Sequence, residues 1–187
     1  MGTRTASATV KVDFRGAVKN LLGQADDYAS AAINETLNLV FASGDGEGKI
    51  KRLWAWRDKS ILAGVIVDVD LFDFAGTDIG TGDGKDHVGQ AAGFDEVVGL
   101  VLIVHSGRVT FGTPGTGHGW QIPFSTGVAQ VVDLHAGAST PGLFVLINGA
   151  SPAYAVADAD GLIGHIIRLQ AILATAVVSL LIIGRKT

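Results

Sequence analysis

Residues 110–121 carry the pattern in this sequence that is closest to a known chemical motif. Their sequence, TFGTPGTGHGWQ, places Gly112 and Gly117 at the glycine positions of a nucleotide-binding P-loop. His118 and Gly119 stand where a P-loop has the phosphate-binding lysine and the hydroxyl residue that holds magnesium. The following WQIPF contains a proline where a helix should begin, and its apolar residues alternate as in a strand. We therefore expect a glycine-rich turn between two antiparallel strands, and no ATP binding.

A second segment, residues 76–89, gathers Asp78, Asp83 and Asp86 in a glycine-rich loop. Carboxylate oxygens are calcium ligands, so this composition suggests an ion site. The loop lacks both the EF-hand spacing with its distal glutamate and the tandem glycine–aspartate repeat of calcium β-helices. We favour a solvated connection over an ion-binding loop, and the sequence leaves the choice open.

The histidines have neither metal-ligand nor catalytic spacing. They are His87, His105, His118, His135 and His165. A serine–histidine–aspartate site would have to assemble from distant strands, for instance from Ser106, His105 and Asp133, and no G-x-S-x-G elbow marks a nucleophile. The chain has no cysteine, which removes disulfides, thiol nucleophiles and thiolate zinc sites. We assign no catalytic residue, cofactor or metal ligand.

The tryptophans are the remaining candidates for binding. In RLWAWRD, Trp54 and Trp56 share one face of a strand, and Trp120 begins WQIPF. Aromatic rings spaced in this way stack on sugars or bases when they are exposed. Aromatic residues also dominate buried contacts and subunit interfaces. We favour a core or interface position for all three and keep carbohydrate binding as the alternative.

Most of the chain consists of short apolar runs separated by glycine, aspartate and serine clusters, which is typical of all-β proteins. The segment ASATVKVDF alternates apolar and polar residues with the period of two of a half-buried strand. Further strands are predicted at residues 33–42, 49–57, 61–72, 96–106, 109–112, 120–124, 129–136, 143–149, 154–158, 162–169 and 174–183. About ten to twelve strands are expected of a two-sheet sandwich with Greek-key or jelly-roll connections.

The composition excludes several classes of protein. With 187 residues, 48% of them hydrophobic and only 17% charged, the chain fits one compact domain rather than a disordered tail. Its net charge of −4 comes without a basic stripe, so we expect no nucleic-acid partner. The first fourteen residues hold no apolar run of the kind found in a secretory signal.

The apolar segment from Leu162 to Gly184 is long enough for a membrane helix. It contains Arg168, and an arginine inside a bilayer costs about 2.5 to 3.5 kcal/mol on insertion scales. The segment also divides into two β-branched parts of strand length, so we expect two strands and no membrane partner. Elsewhere only residues 16–32 suggest a helix, and Gly23 interrupts that pattern.

These observations predict an all-β fold, an antiparallel two-sheet β-sandwich that is jelly-roll-like and has at most one short helix. Residues 31–187 form the single sandwich domain. Residues 1–30 form an N-terminal arm, and its polar start, Met1 to Ala8, is suited to lie extended over a neighbouring subunit.

Six segments occur in a recognisable order. They are LNLVFASGDGEGKIKRLWAWRDKSI, VDVDLFDFAGTD, EVVGLVLIVHSG, VTFG, VVDLHAGAS and VVSLLIIGRK. This order resembles that of small structural proteins of tailed-bacteriophage virions, the head-decoration or cement proteins. The resemblance covers residues 33–186 and leaves the first thirty residues and the excursion at 73–94 unmatched.

The resemblance implies a non-enzymatic protein that is made in the host cytoplasm and located on the capsid surface of the virion. Its partners would be the major capsid protein and copies of itself, for example in a trimer, with no cofactor and no small-molecule substrate. Three alternatives stay open. They are a phage tail or adaptor component, a carbohydrate-binding sandwich that uses Trp54, Trp56 and Trp120, and a β-fold hydrolase whose catalytic residues no motif marks.

Overall fold

The computed structural model describes residues 8–18, 31–44, 46–74, 93–114, 119–120, 131–157 and 164–186. Within these ranges the chain forms twelve β-strands and no helix. The strands are β1 (Ala8–Val18), β2 (Ala31–Ser43), β3 (Lys49–Ile50), β4 (Arg52–Ile61), β5 (Ile66–Asp70), β6 (Glu96–Ser106), β7 (Arg108–Gly112), β8 (Val131–His135), β9 (Gly142–Ile147), β10 (Tyr154–Ala155), β11 (Ile166–Ala171) and β12 (Ala176–Arg185). Each of the longer strands contains β-branched or aromatic residues, whose side chains pack well on a pleated sheet.

Eight strands, from β4 to β12 without the two-residue β10, pair as one nested hairpin. β4 pairs with β12, β5 with β11, β6 with β9 and β7 with β8, and all four ladders are antiparallel. Pairing of β12 with β6 and of β11 with β7 then rolls this hairpin into two four-stranded sheets, and β10 pairs with β6 to give the first of them a fifth strand. This is the strand order of a jelly roll, so the predicted all-β, two-sheet sandwich is confirmed.

The hydrophobic core lies between the two sheets. Buried and partly exposed residues alternate along β11 and most of β12, and the core includes the buried side chains of Leu102, Leu169 and Ile182. Phe111 from the four-stranded sheet packs against Phe144 from the five-stranded sheet, with 5.1 Å between ring centroids. Burial of each such side chain contributes about 1.5–3 kcal/mol, so packing between the sheets is the main source of stability.

A smaller apolar cluster joins the N-terminal sheet to the sandwich. β1 and β2 pair antiparallel over eleven residues, and the last two residues of β2 pair in parallel with β3. Phe41 and Ile50 from this sheet are buried with Val98 and Ile183 from the sandwich. The ladder between β1 and β2 crosses the predicted boundary at residue 30, so residues 8–18 belong to a sheet formed within the chain. Residues 1–7 lie outside the described ranges.

Three of the predicted segments compare with the observed elements as follows. The apolar segment at 162–184 contains β11 and β12, and no helix among the described residues is long and apolar enough to span a bilayer. The two ends of the segment at 16–32, whose pattern suggested a helix interrupted by Gly23, lie in β1 and β2, while residues 19–30 lie outside the described ranges. The strand predicted at 61–72 is interrupted, because residues 62–65 connect β4 to β5.

Candidate functional site

Four connections lie together at one end of the sandwich. The β4–β5 turn (residues 62–65) and the β11–β12 turn (residues 172–175) each pass from one sheet to the other, and Gly64 N donates a hydrogen bond to Ala171 O at 2.9 Å. The β6–β7 turn adjoins them, since Arg108 O accepts a hydrogen bond from Ile172 N at 2.8 Å. The β8–β9 connection follows, because Ala136 N donates to Gly107 O at 3.0 Å. The chain therefore closes this end with turns that are held to one another by backbone hydrogen bonds.

Two of these turns expose apolar side chains. Leu62, Val65, Ile66 and Leu173 are 63%, 42%, 45% and 88% exposed, and we refer to these four residues as the apolar end. Every residue from 62 to 66 and from 173 to 175 is exposed, and none is charged. Turns are normally built from glycine, proline and short polar residues, so this run of exposed apolar residues is a candidate interaction surface.

Leu173 is strained as well as exposed. Its φ angle is 66°, in the left-handed region, where the Cβ atom of an L-residue approaches the following carbonyl oxygen. Glycine and asparagine adopt this conformation readily, whereas leucine does so at a cost of about 1–2 kcal/mol. Within the chain, burial of the side chain offsets little of this cost, because the side chain faces solvent. Strain that local packing does not offset is characteristic of residues that serve binding.

Polar residues border the apolar end on the outer face of the five-stranded sheet. Asp58, His105 and Ser179 lie on the adjacent strands β4, β6 and β12. His105 Nε2 lies 2.8 Å from Ser179 Oγ and 3.4 Å from Asp58 Oδ1. Asp58 N donates a hydrogen bond to Ser179 Oγ at 3.0 Å. The serine hydroxyl is thus the common partner of both neighbouring strands.

Two β-bulges bring these three residues together. On one side of β12 the register passes from Lys59 to Trp56, so that Ser179 faces two residues of β4. On the other side it passes from Ser106 to Val104, which leaves His105 as the extra residue of β6. A bulge re-aims a side chain relative to the regular alternation of a strand. Asp58 adopts a left-handed φ of 48° at this point, and its side chain faces solvent.

The geometry of this cluster differs from that of a hydrolytic triad. In a triad the carboxylate orients the histidine through Nδ1 while the serine is bonded to Nε2. Here Asp58 and Ser179 both approach Nε2 of His105, so the ring is not a relay between them. The cluster therefore fixes two bulged strands at the border of the apolar end.

An ion pair borders the apolar end on the four-stranded sheet. Arg108 Nε lies 2.9 Å from both carboxylate oxygens of Asp133, and its Nη2 also contacts the carboxylate. Hydrogen bonds from Arg108 lower the pKa of Asp133, and the same bonds raise the pKa of Arg108. Since the pair neutralises its own charges, it adds no net charge beside the apolar residues.

The three candidate tryptophans lie in the core. Trp54, Trp56 and Trp120 are 5%, 3% and 0% exposed. Trp120 Nε1 donates a hydrogen bond to Ala155 O at 2.8 Å, and its ring packs edge-on against Tyr154. Stacking on a sugar requires an exposed ring face, and these rings are enclosed by the two sheets.

The segment that resembles a P-loop is extended where it is described. Gly112 ends β7, Gly119 forms a parallel bridge with Ile166, and Trp120 N donates a hydrogen bond to Ile166 O at 2.8 Å. A P-loop would begin a helix at this point. Gly117 and His118 lie outside the described residues.

The other predicted ligands and bases are placed as follows. Asp78, Asp83, Asp86 and His87 lie outside the described ranges. Within those ranges, no three histidine, aspartate or glutamate side chains are close enough to hold a metal ion. The structure does not assemble Ser106, His105 and Asp133, because Asp133 is bound by Arg108 while His105 contacts Asp58 and Ser179.

Comparison of the chain with protein-family models, with curated proteins and with solved structures finds no match.

Proposed function

We propose that this chain is a non-enzymatic structural protein that decorates the outer surface of a tailed-bacteriophage capsid in many copies. Its partners in this role are the major capsid protein and further copies of the chain. It needs no cofactor, metal or small-molecule substrate, because it acts by adhesion. Apolar area buried against several capsid subunits at once would oppose their separation, and many copies would multiply a weak single contact.

The apolar end is the observation that carries this proposal. Its four residues are exposed on two turns and on the adjoining first residue of β5, which backbone hydrogen bonds hold in place, so binding would order few additional groups. A preformed surface loses little conformational entropy on association. Its neighbours on both sheets are polar clusters whose members contact one another, which gives the arrangement of an apolar centre and a polar rim seen in protein interfaces.

The fold also supports a structural role. Jelly rolls serve as viral capsid domains, and the same architecture serves lectins and cupins. A fold alone does not identify a function, so the choice among these uses in our proposal rests on the exposed turns. The core position of the tryptophans gives no support to sugar binding, whereas the exposed leucines favour contact with a protein surface.

The proposal is tested by co-sedimentation with capsids assembled from the major capsid protein encoded beside this chain. We expect the wild-type chain to pellet with these capsids. The double variant Leu62→Asp, Leu173→Asp should reduce the bound fraction at least about tenfold, since two leucines are each worth about 1.5–3 kcal/mol when buried. Val40→Asp is the matched control, because Val40 is 68% exposed and lies in β2, beside the junction at the opposite end of the sandwich.

A wild-type chain that stays in the supernatant, or a capsid gene that is missing from the neighbourhood, contradicts the proposal. Equal loss of binding in the control and in the double variant also contradicts it. Pelleting with purified tails instead of capsids would assign the chain to the tail.

A further inference from the structure

We infer that β9 is a pairing edge for a second copy of this chain, and that two copies form one continuous sheet by antiparallel pairing of β9 with β9 about a two-fold axis. The inference deepens the proposed function, because it names the strand through which copies meet. The combined sheet would contain ten strands, five from each copy.

The position of β9 in the sheet supports this inference. It pairs with β6 over six residues, from Gly142 to Ile147, and the register runs without a bulge. Among the described strands no other one pairs with β9, so within the described part of the chain its second edge presents a row of backbone donors and acceptors. Leu143 is 51% exposed, and the next four residues of the strand are half-buried.

The composition of β9 sets it apart from the other long edge strands. Natural sheets prevent edge-to-edge pairing with charged residues, prolines, bulges or very short strands. β4 carries Arg57, Asp58 and Lys59 beside a bulge, β5 carries two aspartates, and β8 carries Asp133. β9 has the sequence GLFVLI, with no charge, no proline and no bulge.

The partner that fits this edge is a second copy. Two-fold antiparallel pairing places each residue of a strand near a residue of the identical strand, so a charge near the middle would face its own copy. Self-pairing of β4 would oppose like charges in this way, whereas self-pairing of β9 opposes only apolar residues. Phe144 and Leu146 already pack against the core, which leaves Leu143 and Val145 on the outer face to meet the second copy.

The first test measures the mass of the full chain in solution by sedimentation. We expect wild-type protein to dimerise and Val145→Lys to raise the dimer dissociation constant at least tenfold, because a lysine near the middle of the strand would lie opposite or diagonal to the same lysine of the second copy. Leu143→Lys, at a residue that is half exposed, is the second variant in case the first one disturbs folding. Ser60→Lys on β4, the opposite edge of the same sheet, should leave the dimer unchanged.

The second test uses the absence of cysteine from the sequence. Single cysteines are placed in turn at residues 143–147, with Ser60→Cys as the control. Two-fold pairing brings one residue opposite itself, so one position of β9 should form a disulfide-linked dimer far more readily than its neighbours and the control. Equal cross-linking at all positions would overturn the inference, as would a monomeric wild-type chain or a Val145→Lys variant that still dimerises.

These outcomes are separable from those of the proposed function. A monomeric wild-type chain that still pellets with capsids defeats the β9 inference and leaves the capsid role standing. A β9 dimer that does not pellet with capsids defeats the capsid role and leaves the β9 inference standing.

Discussion

Arg185 shows how one residue can hold several parts of this fold together. It is 2% exposed, and its guanidinium donates hydrogen bonds to Glu96 Oε2 at 2.6 Å, Ala150 O at 3.0 Å and Lys49 O at 3.1 Å. These partners belong to β6, the segment after β9, and β3. A buried guanidinium with several acceptors satisfies backbone carbonyls that packing alone would leave without donors.

We predict that Arg185→Met lowers the free energy of unfolding by about 3–5 kcal/mol, because it leaves the Glu96 carboxylate and the carbonyls partly buried without their donor. Arg168→Met is the control. Arg168 donates to Asp68 at 2.7 Å in a pair whose side chains are about one-third exposed, and exposed pairs contribute only about 0–1 kcal/mol. Urea unfolding of both variants measures the difference, and equal losses would contradict the prediction.

Asp70 gives the stability of the protein a dependence on pH. Partial burial raises the pKa of its carboxyl above the ordinary value of 3.8, against the lowering effects of a hydrogen bond from Phe72 and the neighbouring His165. The folded state therefore holds this proton more tightly than the unfolded state does. The contribution of Asp70 to the free energy of unfolding is therefore fully present below pH 3.8 and is lost as the pH rises through the raised pKa.

We therefore expect the stability difference between wild type and Asp70→Asn to become less favourable to wild type as the pH rises above 3.8. Asp133→Asn should show the opposite trend, because Arg108 lowers the pKa of Asp133 and that stability is lost as the pH falls. Urea unfolding at a series of pH values measures both. Parallel curves for wild type and Asp70→Asn would contradict the expectation.

At the scale of elements, the turns and bulges distinguish this sandwich more than its strands do. The β11–β12 turn holds an exposed leucine in a left-handed conformation, and the β4–β5 turn exposes apolar residues on both sides of Gly64. Gly64 itself has a φ of 74°, which glycine adopts without strain. Both turns thus have the backbone conformation of a tight connection, and both expose apolar side chains to solvent.

Leu173→Asn separates stability from binding. Asparagine tolerates the left-handed conformation, so the variant should be more stable than wild type by about 1 kcal/mol. It should also bind capsids more weakly, because it removes the most exposed apolar side chain of the apolar end. Thermal unfolding and co-sedimentation measure the two effects. Gain of stability together with unchanged binding would show that Leu173 does not contact the partner.

The sequence predicted the strands better than the connections between them. β6 has the predicted bounds, Glu96 to Ser106, because its apolar run is bounded by turn residues. The strand predicted at 61–72 ran through a turn, because an apolar turn lacks the polar signals from which turns are recognised. In the sequence, the apolar residues on both sides of Gly64 continue the pattern of a strand. Only their exposure in the structure identifies the segment as a turn.

The cluster of Asp58, His105 and Ser179 was not predictable from the sequence pattern. A bulge shifts the alternation of inward and outward side chains along a strand by one residue. Neither bulge is visible in the alternation of apolar and polar residues in the sequence. The sequence offered Ser106, His105 and Asp133 only as an example of a site that distant strands could assemble, and in the structure Asp133 pairs with Arg108 instead. The three residues of the cluster meet only because β12 lies between β6 and β4.

At the scale of the whole molecule, the nested hairpin separates the surfaces of the protein. β4, β6 and β12 run between the apolar end and the junction with the N-terminal sheet, so these two regions lie at opposite ends of the sandwich. β9 lies at an edge between them. The proposed capsid contact at the apolar end and the proposed contact between copies at β9 therefore use different residues.

Both proposed contacts are apolar, whereas the chain carries a formal charge of −4. Added salt should therefore strengthen the association of copies, because it screens the repulsion between like-charged molecules and breaks no ion pair at β9. Sedimentation of the wild-type chain at low and at high sodium chloride concentration measures this effect. A dimer that dissociates as salt is added would indicate an interface made by charged residues instead.

The position of the end of β12 makes it suitable for the attachment of a second protein domain. β12 begins at the apolar end and finishes at Arg185 on the opposite side, where Lys186 Nζ is held 3.0 Å from Asp95 and 4.2 Å from the centre of the Phe72 ring. A second protein domain joined after Lys186 would therefore leave the sandwich on the side away from the apolar end. If the chain decorates capsids as proposed, such a fusion would display its cargo outward in many copies without blocking attachment.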